Sequence, residues 1–323
     1  MAVSTLAATA RTGIIDLRQV TGDDLQPLLA EEENEWRTLL DWDFRASADL
    51  VVRFVNLQSL GGFALALDGE IAGYSYYIAE ESKGLIGDVY VAARHRSVAL
   101  ENELLEATLC TLVGKERARR VESQLMMLSR PLQRAMPRQE KMRTFRRSFL
   151  ALSGDPIPYA PGIAAGRVYL EPWRDEFQPE AARLITIAYQ GHIDTNINDQ
   201  YSSVDGCRRF LLNLILYPGC GRFHQSGSFL AFDQDTGQPC GLILSSIVGE
   251  DVAHVTQVCL LPDRKGCGFG YEMMRRAIAQ LYEYGCRKIT LAVTSSNADA
   301  LRLYHRMGFH VQREFAAHVW EGL

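Results

Sequence analysis

Apolar residues along this chain follow two spacings, and the switches between them mark its elements. Beyond residue 166 the order is readable almost throughout. Residues 167–170 alternate as a short strand, while 180–189 and 207–216 carry apolar side chains at helical spacing. Residues 229–233, 240–248 and 253–261 are β-rich runs separated by polar turns at 235–237 and 249–251. An amphipathic helix is expected over 269–284, stopped by Gly285, the residue type that tolerates the left-handed conformation past a helix end. Residues 288–294 then read as a strand, 298–307 as a helix, and 309–320 as one or two closing strands.

The first half repeats this order more faintly. Residues 14–20 read as a strand, 49–60 as a helix ending in Gly61 and Gly62, and 63–67, 71–79 and 85–92 as a meander. Arg53-Phe54-Val55-Asn56-Leu57 before that glycine pair parallels Arg209-Phe210-Leu211-Leu212-Asn213-Leu214. Val89-Tyr90-Val91, entering a helix, matches Val258-Cys259-Leu260 at an offset of 169 residues. A period this long means duplicated domains rather than a solenoid. Two mixed α/β domains in tandem are therefore expected: residues 1–153, a linker over 154–166 with Pro156, Pro158, Pro161 and Gly162, and residues 167–323. Two unrelated α/β domains are the alternative.

Composition bounds the function without naming it. The 323 residues exceed one typical hydrophobic core, and 47% hydrophobic with 23% charged residues is ordinary globular usage. A net charge of −5 argues against a dedicated nucleic-acid partner. The seven cysteines are scattered without a Cys-x-x-Cys pair, so neither a disulfide framework nor a zinc site is expected, and no metal is called for. Residues 1–13 do not read as a secretory leader, and no apolar run is long enough to span a membrane. A cytoplasmic location follows as the expectation.

The chemistry concentrates in a glycine turn between a strand and a helix, Leu260-Leu261-Pro262-Asp263-Arg264-Lys265-Gly266-Cys267-Gly268-Phe269-Gly270. Glycines let a ligand approach the backbone, and the N–H groups opening a helix attract a phosphate, helped here by Arg264 and Lys265. The Gly-Lys-Ser/Thr of a Walker loop is missing, and Tyr271 stands where the dinucleotide fingerprint needs its third glycine. A merely structural turn remains the other reading of this segment alone. A second segment sharpens it: Asn297-Ala298-Asp299-Ala300-Leu301-Arg302-Leu303-Tyr304-His305-Arg306-Met307-Gly308-Phe309.

Together the two segments resemble the Gcn5-related N-acetyltransferase (GNAT) superfamily. The turn resembles its Gln/Arg-x-x-Gly-x-Gly/Ala loop, with Lys265 in the first position. The helix is similar to its Asn-x-x-Ala-x-x-Leu-Tyr-x-x-x-Gly-Phe signature at every named position. The tandem arrangement is similar to that of mycothiol synthase. The resemblance implies an α/β mixed-sheet fold, acetyl-CoA as acyl donor, and direct attack of a primary amine of a small molecule or peptide on the thioester.

It also implies roles for residues. Val258, Cys259 and Leu260 would supply the backbone that holds the thioester where the family parts its strands. Arg264, Lys265, Gly266, Cys267, Gly268, Phe269 and Gly270 would hold the pyrophosphate, and Asn297 the cofactor or the parted strand. Tyr304, with an ordinary phenol pKa of about 10, would protonate the leaving thiolate. His254, eleven residues before Lys265, is the candidate base; a solvated histidine at a strand start is the alternative. His192, Asp194, Asn196 and Tyr201 of the polar loop, with His318 opposite, would line the acceptor pocket.

The first domain reads as a degenerate copy. At the same offset Gly266, Gly268 and Gly270 become Ser97, Ala99 and Glu101, and a carboxylate there would repel a phosphate. Arg94, His95 and Arg96 form a basic turn that suits either an anion or solvent. An acyl-CoA sensor without turnover is a second functional class, though it has no need of Tyr304. A transferase using aminoacyl-tRNA is disfavoured by the acidic charge. The oligomeric state is left open.

Overall fold

In the computed structural model the period-two segments become strands and the 3.6-period segments helices, over the described residues 13–156 and 158–323. Most of the segment expected not to be a leader, residues 1–12, lies outside the described residues, as does Ile157 of the expected linker. In the first half, β1 (Gly13–Asp16) is followed by α1 (Gly22–Leu40), α2 (Arg45–Asn56), β2 (Gly61–Leu67), β3 (Glu70–Glu80), β4 (Lys83–Val91), α3 (Val98–Gly114), β5 (Arg120–Gln124) and β6 (Met142–Ser153). The second half runs β7 (Val168–Pro172), α4 (Gln178–Ala188), α5 (Val204–Leu216), β8 (Arg222–Phe223), β9 (Phe229–Asp233), β10 (Pro239–Ile247), β11 (Val252–Leu260), α6 (Phe269–Tyr284), β12 (Lys288–Thr294), α7 (Ala298–Arg306) and β13 (His310–Glu321). Among the described residues no helix is long and apolar enough to cross a membrane.

Four elements were not expected from the apolar pattern: the two-residue β8, α1, β5 and β6. In α1 the run Glu31-Glu32-Glu33 and Pro27 break the stripe, yet Leu25, Leu28, Leu29 and Leu40 are buried. Its start is fixed by reciprocal bonds, Thr21 N–H to Asp24 Oδ2 at 2.9 Å and Asp24 N–H to Thr21 Oγ1 at 3.3 Å. In β5 and β6 arginines, glutamates and serines occupy strand positions, so alternation is masked.

The chain divides into two units, and the division corrects the expected boundaries. Unit 1 comprises residues up to 38, 44–146 and 315–323, and unit 2 comprises 39–43 and 147–314. The halves have exchanged strands. Within unit 2, Arg147–Ser153 of β6 pairs antiparallel with Thr294–Lys288 of β12. Within unit 1, Ala317–Glu321 of β13 pairs antiparallel with Gln124–Arg120 of β5. The described residues of the expected linker form neither helix nor strand and belong to unit 2, where Ala164 is fully buried.

Unit 1 orders its strands β1-β2-β3-β4-β5-β13, with β4 and β5 the parallel pair. Leu104, Leu105 and Leu109 of α3 pack with Ile86, Val89 and Trp320. Unit 2 orders its strands β6-β12-β11-β10-β9-β7, with β8 paired to β10, and here β11 and β12 are the parallel pair. One core of unit 2 holds Phe269, Met273 and Ile278 of α6 with Tyr304 of α7 and Phe309. The other holds Ala181 and Ile185 of α4, Leu211 of α5, Trp173 and Cys259. Burial of these apolar side chains contributes about 1.5–3 kcal/mol each before chain entropy is subtracted.

Candidate active site

Unit 2 opens its own sheet at one place. The parallel ladder of β11 with β12 runs from Val252/Lys288 to Val255/Leu291 and stops. Beyond it β11 continues to Leu260 beside β10, and β12 continues to Thr294 beside β6. A bulge marks the same point, with Gln257 opposite Leu244 and Val255 opposite Ser245, leaving Thr256 out of register. Past Val255, one side of β11 therefore presents backbone groups to a gap instead of a strand. Val258 and Leu260 pack toward the α6 and α7 core, Cys259 toward the α4 and α5 core. Burial raises the Cys259 thiol pKa well above its ordinary range, so the residue serves as backbone and packing.

The glycine turn stands at the end of β11. Gly266 (φ 75°) and Gly268 (φ 88°) are left-handed, and Gly268 is the residue from which α6 departs. The first intrahelical bond is Glu272 N–H to the Gly268 carbonyl at 3.2 Å, which leaves the N–H groups of Phe269, Gly270 and Tyr271 at the open helix end. Phe269 itself is fully buried, so it offers backbone only. Of the two expected cations, Arg264 is committed elsewhere: its Nε bonds Asp233 at 2.5 Å and its NH1 bonds Asp263 at 2.8 Å. Lys265 is exposed and, among the described residues, forms no salt bridge; its field lowers the pKa of His192. Cys267 is half-buried, its Sγ 3.6 Å from the Lys265 carbonyl.

Tyr304 of α7 lies in the core beside Phe309, with ring centroids 5.9 Å apart. Burial, then the Asp194 carboxylate, push its pKa up to about 12. It is thus a weaker acid than an ordinary phenol, and it stays protonated at neutral pH. Asn297 caps α7, its side chain accepting from Ala300 N–H at 3.2 Å, while its Nδ2 lies 3.3 Å from His192 Nε2.

The polar loop between α4 and α5 gathers around Asp194. Thr294 Oγ1 at the end of β12 hydrogen-bonds Asp194 Oδ1, and Arg147 NH1 lies 3.0 Å from Thr294 Oγ1 and 3.5 Å from Asp194 Oδ1. His192 Nδ1 accepts from the Asp194 N–H at 3.2 Å. Both His192 nitrogens therefore face N–H donors, which disfavours imidazolium, and its pKa is lowered, first by burial. Tyr201 lies 4.5 Å, centroid to centroid, from Tyr189. Asn196 is half-buried in the same short helical turn as Asp194. Arg147 and Thr294 were not anticipated beside Asp194. Arg147 is delivered by the exchanged strand, which no local signal reveals.

Two expected residues do not fit their roles. His254 is buried between Trp42 and Phe149, stacked on the latter at 5.6 Å, with Nδ1 bonded to Thr290 Oγ1 at 2.9 Å. Burial, then Arg147, lower its pKa to about 3, which makes it a poor proton acceptor and a core residue. His318 belongs to unit 1, where it is 1% exposed and faces Thr144 Oγ1 at 3.2 Å.

Comparison with known proteins agrees with this geometry. The profile of the acetyltransferase (GNAT) family matches residues 198–309, which span α5, the parted strands, the glycine turn and α7. The match lies wholly within the second unit. A mycothiol acetyltransferase from Corynebacterium jeikeium is 40% identical over 63 residues, 20% of this chain and 18% of that protein. A ribosomal protein bS18-alanine N-acetyltransferase from Haemophilus influenzae is 38% identical over 60 residues, 19% of this chain and 40% of that protein. The chain thus matches less than half the length of these relatives. Among solved structures, a GCN5-related N-acetyltransferase from Sphaerobacter thermophilus shares the fold over 98% of both chains, with a TM-score of 0.68 at 19% identity. A tandem GNAT protein of the clavulanic acid pathway covers 97% of this chain and 99% of its own, with a TM-score of 0.55 at 13% identity.

Unit 1 repeats the bulge and the short parallel ladder of unit 2, and its own side chains occupy the turn after β4. Asp88 pairs with Tyr76 and Ile86 with Tyr77, a bulge like that of unit 2, and the β4–β5 ladder stops at Ile86/Ser123. At the turn after β4, Glu31 of α1 accepts the Ala93 N–H at 2.6 Å. Arg96 bonds Glu35 at 2.6 Å, and Arg94 pairs with Glu70. The basic turn is thus neutralised by the protein's own carboxylates. Glu101, the carboxylate expected to repel a phosphate, is 1% exposed, paired with Arg134 and accepting Ser129 N–H at 3.0 Å.

Proposed function

We propose that unit 2 transfers an acetyl group from acetyl-CoA to a primary amine of a small molecule or peptide in a ternary complex. The single observation carrying this reading is the parting of β11 from β12 directly ahead of the glycine turn, with Asp194 bonded to Thr294 at the end of β12 and Tyr304 within the electrostatic reach of Asp194. The open end of α6 and Lys265 suit a pyrophosphate. The freed backbone of 257–260 suits a thioester carbonyl. The amine nitrogen attacks the carbonyl carbon, a C–N bond forms, and the carbonyl π pair moves onto oxygen. On collapse the C–S bond breaks and the thiolate leaves with its electron pair. The Tyr304 hydroxyl supplies its hydrogen bond and proton and is reprotonated from solvent, while the proton released by the amine passes to solvent. One curated relative is named for mycothiol and another for an alanine of a ribosomal protein, so amine acceptors of both sizes belong in the screen. Calorimetric titration with coenzyme A, followed by an acetyl-CoA assay across amines, tests the proposal. Binding without turnover on any acceptor favours a sensor, and absence of binding refutes both.

A further inference from the structure

A directed hydrogen-bond chain runs through Gln257, on the freed segment of β11, and ends with its last proton unclaimed. It begins at a backbone amide: Gln200 N–H donates to Asn198 Oδ1 at 3.1 Å, so the Asn198 amide has its NH2 free to donate. Asn198 hydrogen-bonds the Tyr201 hydroxyl. Tyr201 then donates to Gln257 Oε1 at 3.3 Å, and Gln257 Nε2 donates to the Tyr189 hydroxyl at 2.9 Å. Each link fixes the direction of the next, because an amide oxygen only accepts and an amide NH2 only donates. The Tyr189 oxygen is thus already an acceptor, and among the described residues its own hydrogen has no partner.

The position of that hydrogen matters. Gln257 directly follows the bulged Thr256, on the strand segment of β11 that loses its partner. Tyr189 ends α4, with its ring 5.1 Å from His192 and within the electrostatic reach of Asp194, Cys259 and Tyr304. Burial raises its pKa well above the phenol range, so the hydroxyl remains a donor at every working pH. A buried hydroxyl donor left without an acceptor is unfavourable, and a ligand oxygen removes that cost.

Resting on the acetyl-transfer reading, we propose that Tyr189 donates this hydrogen bond to the thioester oxygen as it becomes an oxyanion, beside the backbone of β11, and that Gln257 is its positioning residue. No proton is transferred in this role; the hydroxyl bonds the oxygen that receives the carbonyl π pair and releases it when the C–S bond breaks.

The test uses the full chain, following thioester absorbance with the acceptor found in the amine screen, or with water. Tyr189→Phe is expected to lower kcat by roughly 10²-fold, the cost of one oxyanion donor, with KM for acetyl-CoA and acceptor unchanged. Gln257→Leu is expected to give part of that loss, and Tyr189→Phe/Gln257→Leu no more than Tyr189→Phe alone. Coenzyme A should bind wild type and Tyr189→Phe equally, which shows the variant folded, while the preference for acetyl-CoA over coenzyme A shrinks in the variant. Unchanged kcat in Tyr189→Phe, or a loss confined to acceptor KM, overturns the proposal alone. A wild-type chain that does not bind coenzyme A overturns the acetyl-transfer reading and this role with it.

Discussion

Replacing Glu32 by glutamine in unit 1 should make the protein's stability less sensitive to pH without weakening it at pH 8. Glu32 is fully buried on α1 and Asp88 is 6% exposed on β4. Tyr74 donates to Glu32 Oε2 at 2.8 Å and lies 3.3 Å from Asp88 Oδ2, while Trp36 Nε1 donates to Glu32 Oε1 at 3.1 Å and Val89 N–H to Asp88 Oδ1 at 2.8 Å. Two carboxylates cannot both ionise at such a site, and burial followed by the Asp88 charge raises the Glu32 pKa well above 4.5. The folded state therefore holds one proton more than the unfolded chain between the ordinary glutamate pKa and the raised one. Stability is full below the ordinary value and falls as pH rises toward the raised one, at about 1.4 kcal/mol per pH unit. A glutamine amide in its place carries that hydrogen permanently and fits the same outline. Hydrogen exchange of peptides covering residues 70–91, corrected for intrinsic rates, reports unit 1 opening at each pH. The expected outcome is a slope between pH 5 and 8 smaller in Glu32→Gln by up to about 1.4 kcal/mol per unit. Equal slopes, or a variant weaker than wild type at pH 8 by more than about 2 kcal/mol, the usual cost of an unmet buried polar group, would refute the shared proton.

Three further outcomes follow from unit 2. Tyr304→Phe should lower kcat by roughly 10²-fold or more while leaving coenzyme A affinity intact, since the ring keeps its contact with Phe309; steady-state kinetics beside calorimetry separates the two. Gly268→Ala forces a side chain into φ 88° and toward Ile163, whose Cγ1 would be 2.7 Å from the new methyl. It should cost roughly 1–2 kcal/mol in thermal unfolding and weaken coenzyme A binding. His254→Gln should leave the pH–rate profile above pH 6 unchanged, because the wild-type imidazole titrates near pH 3. The same substitution should flatten acid destabilisation, since a histidine buried neutral costs stability as pH falls from about 6.5 toward 3, at about 1.4 kcal/mol per unit.

The second unit was the more legible because its chemistry is carried by local pattern. Gly266, Gly268 and Gly285 announce left-handed turns, and α6 and β12 begin and end where the spacing places them. The first unit hid α1 behind glutamates that turned out to be used inside: Glu31 and Glu35 at the turn after β4, and Glu32 at Asp88. Pairing was illegible where it was non-local. Nothing near Arg147 says that its strand joins β12, and nothing near His318 says that its strand joins β5. His254 shows the same limit, since sequence gives distance from the glycine turn but not the Trp42 and Phe149 rings that enclose the imidazole.

The exchanged strands also set the order in which the protein can be completed during synthesis. Arg120 meets Glu321 across 201 residues, so one edge of β5, the one not paired with β4, stays open until β13 has left the ribosome. Unit 2, by contrast, closes on β6, which is already made when β12 emerges. The half translated first is thus finished last, with an open strand edge exposed to other nascent chains for most of elongation. Cutting the chain within residues 154–166 would free two halves that each lack a strand needed by one unit, rather than two domains.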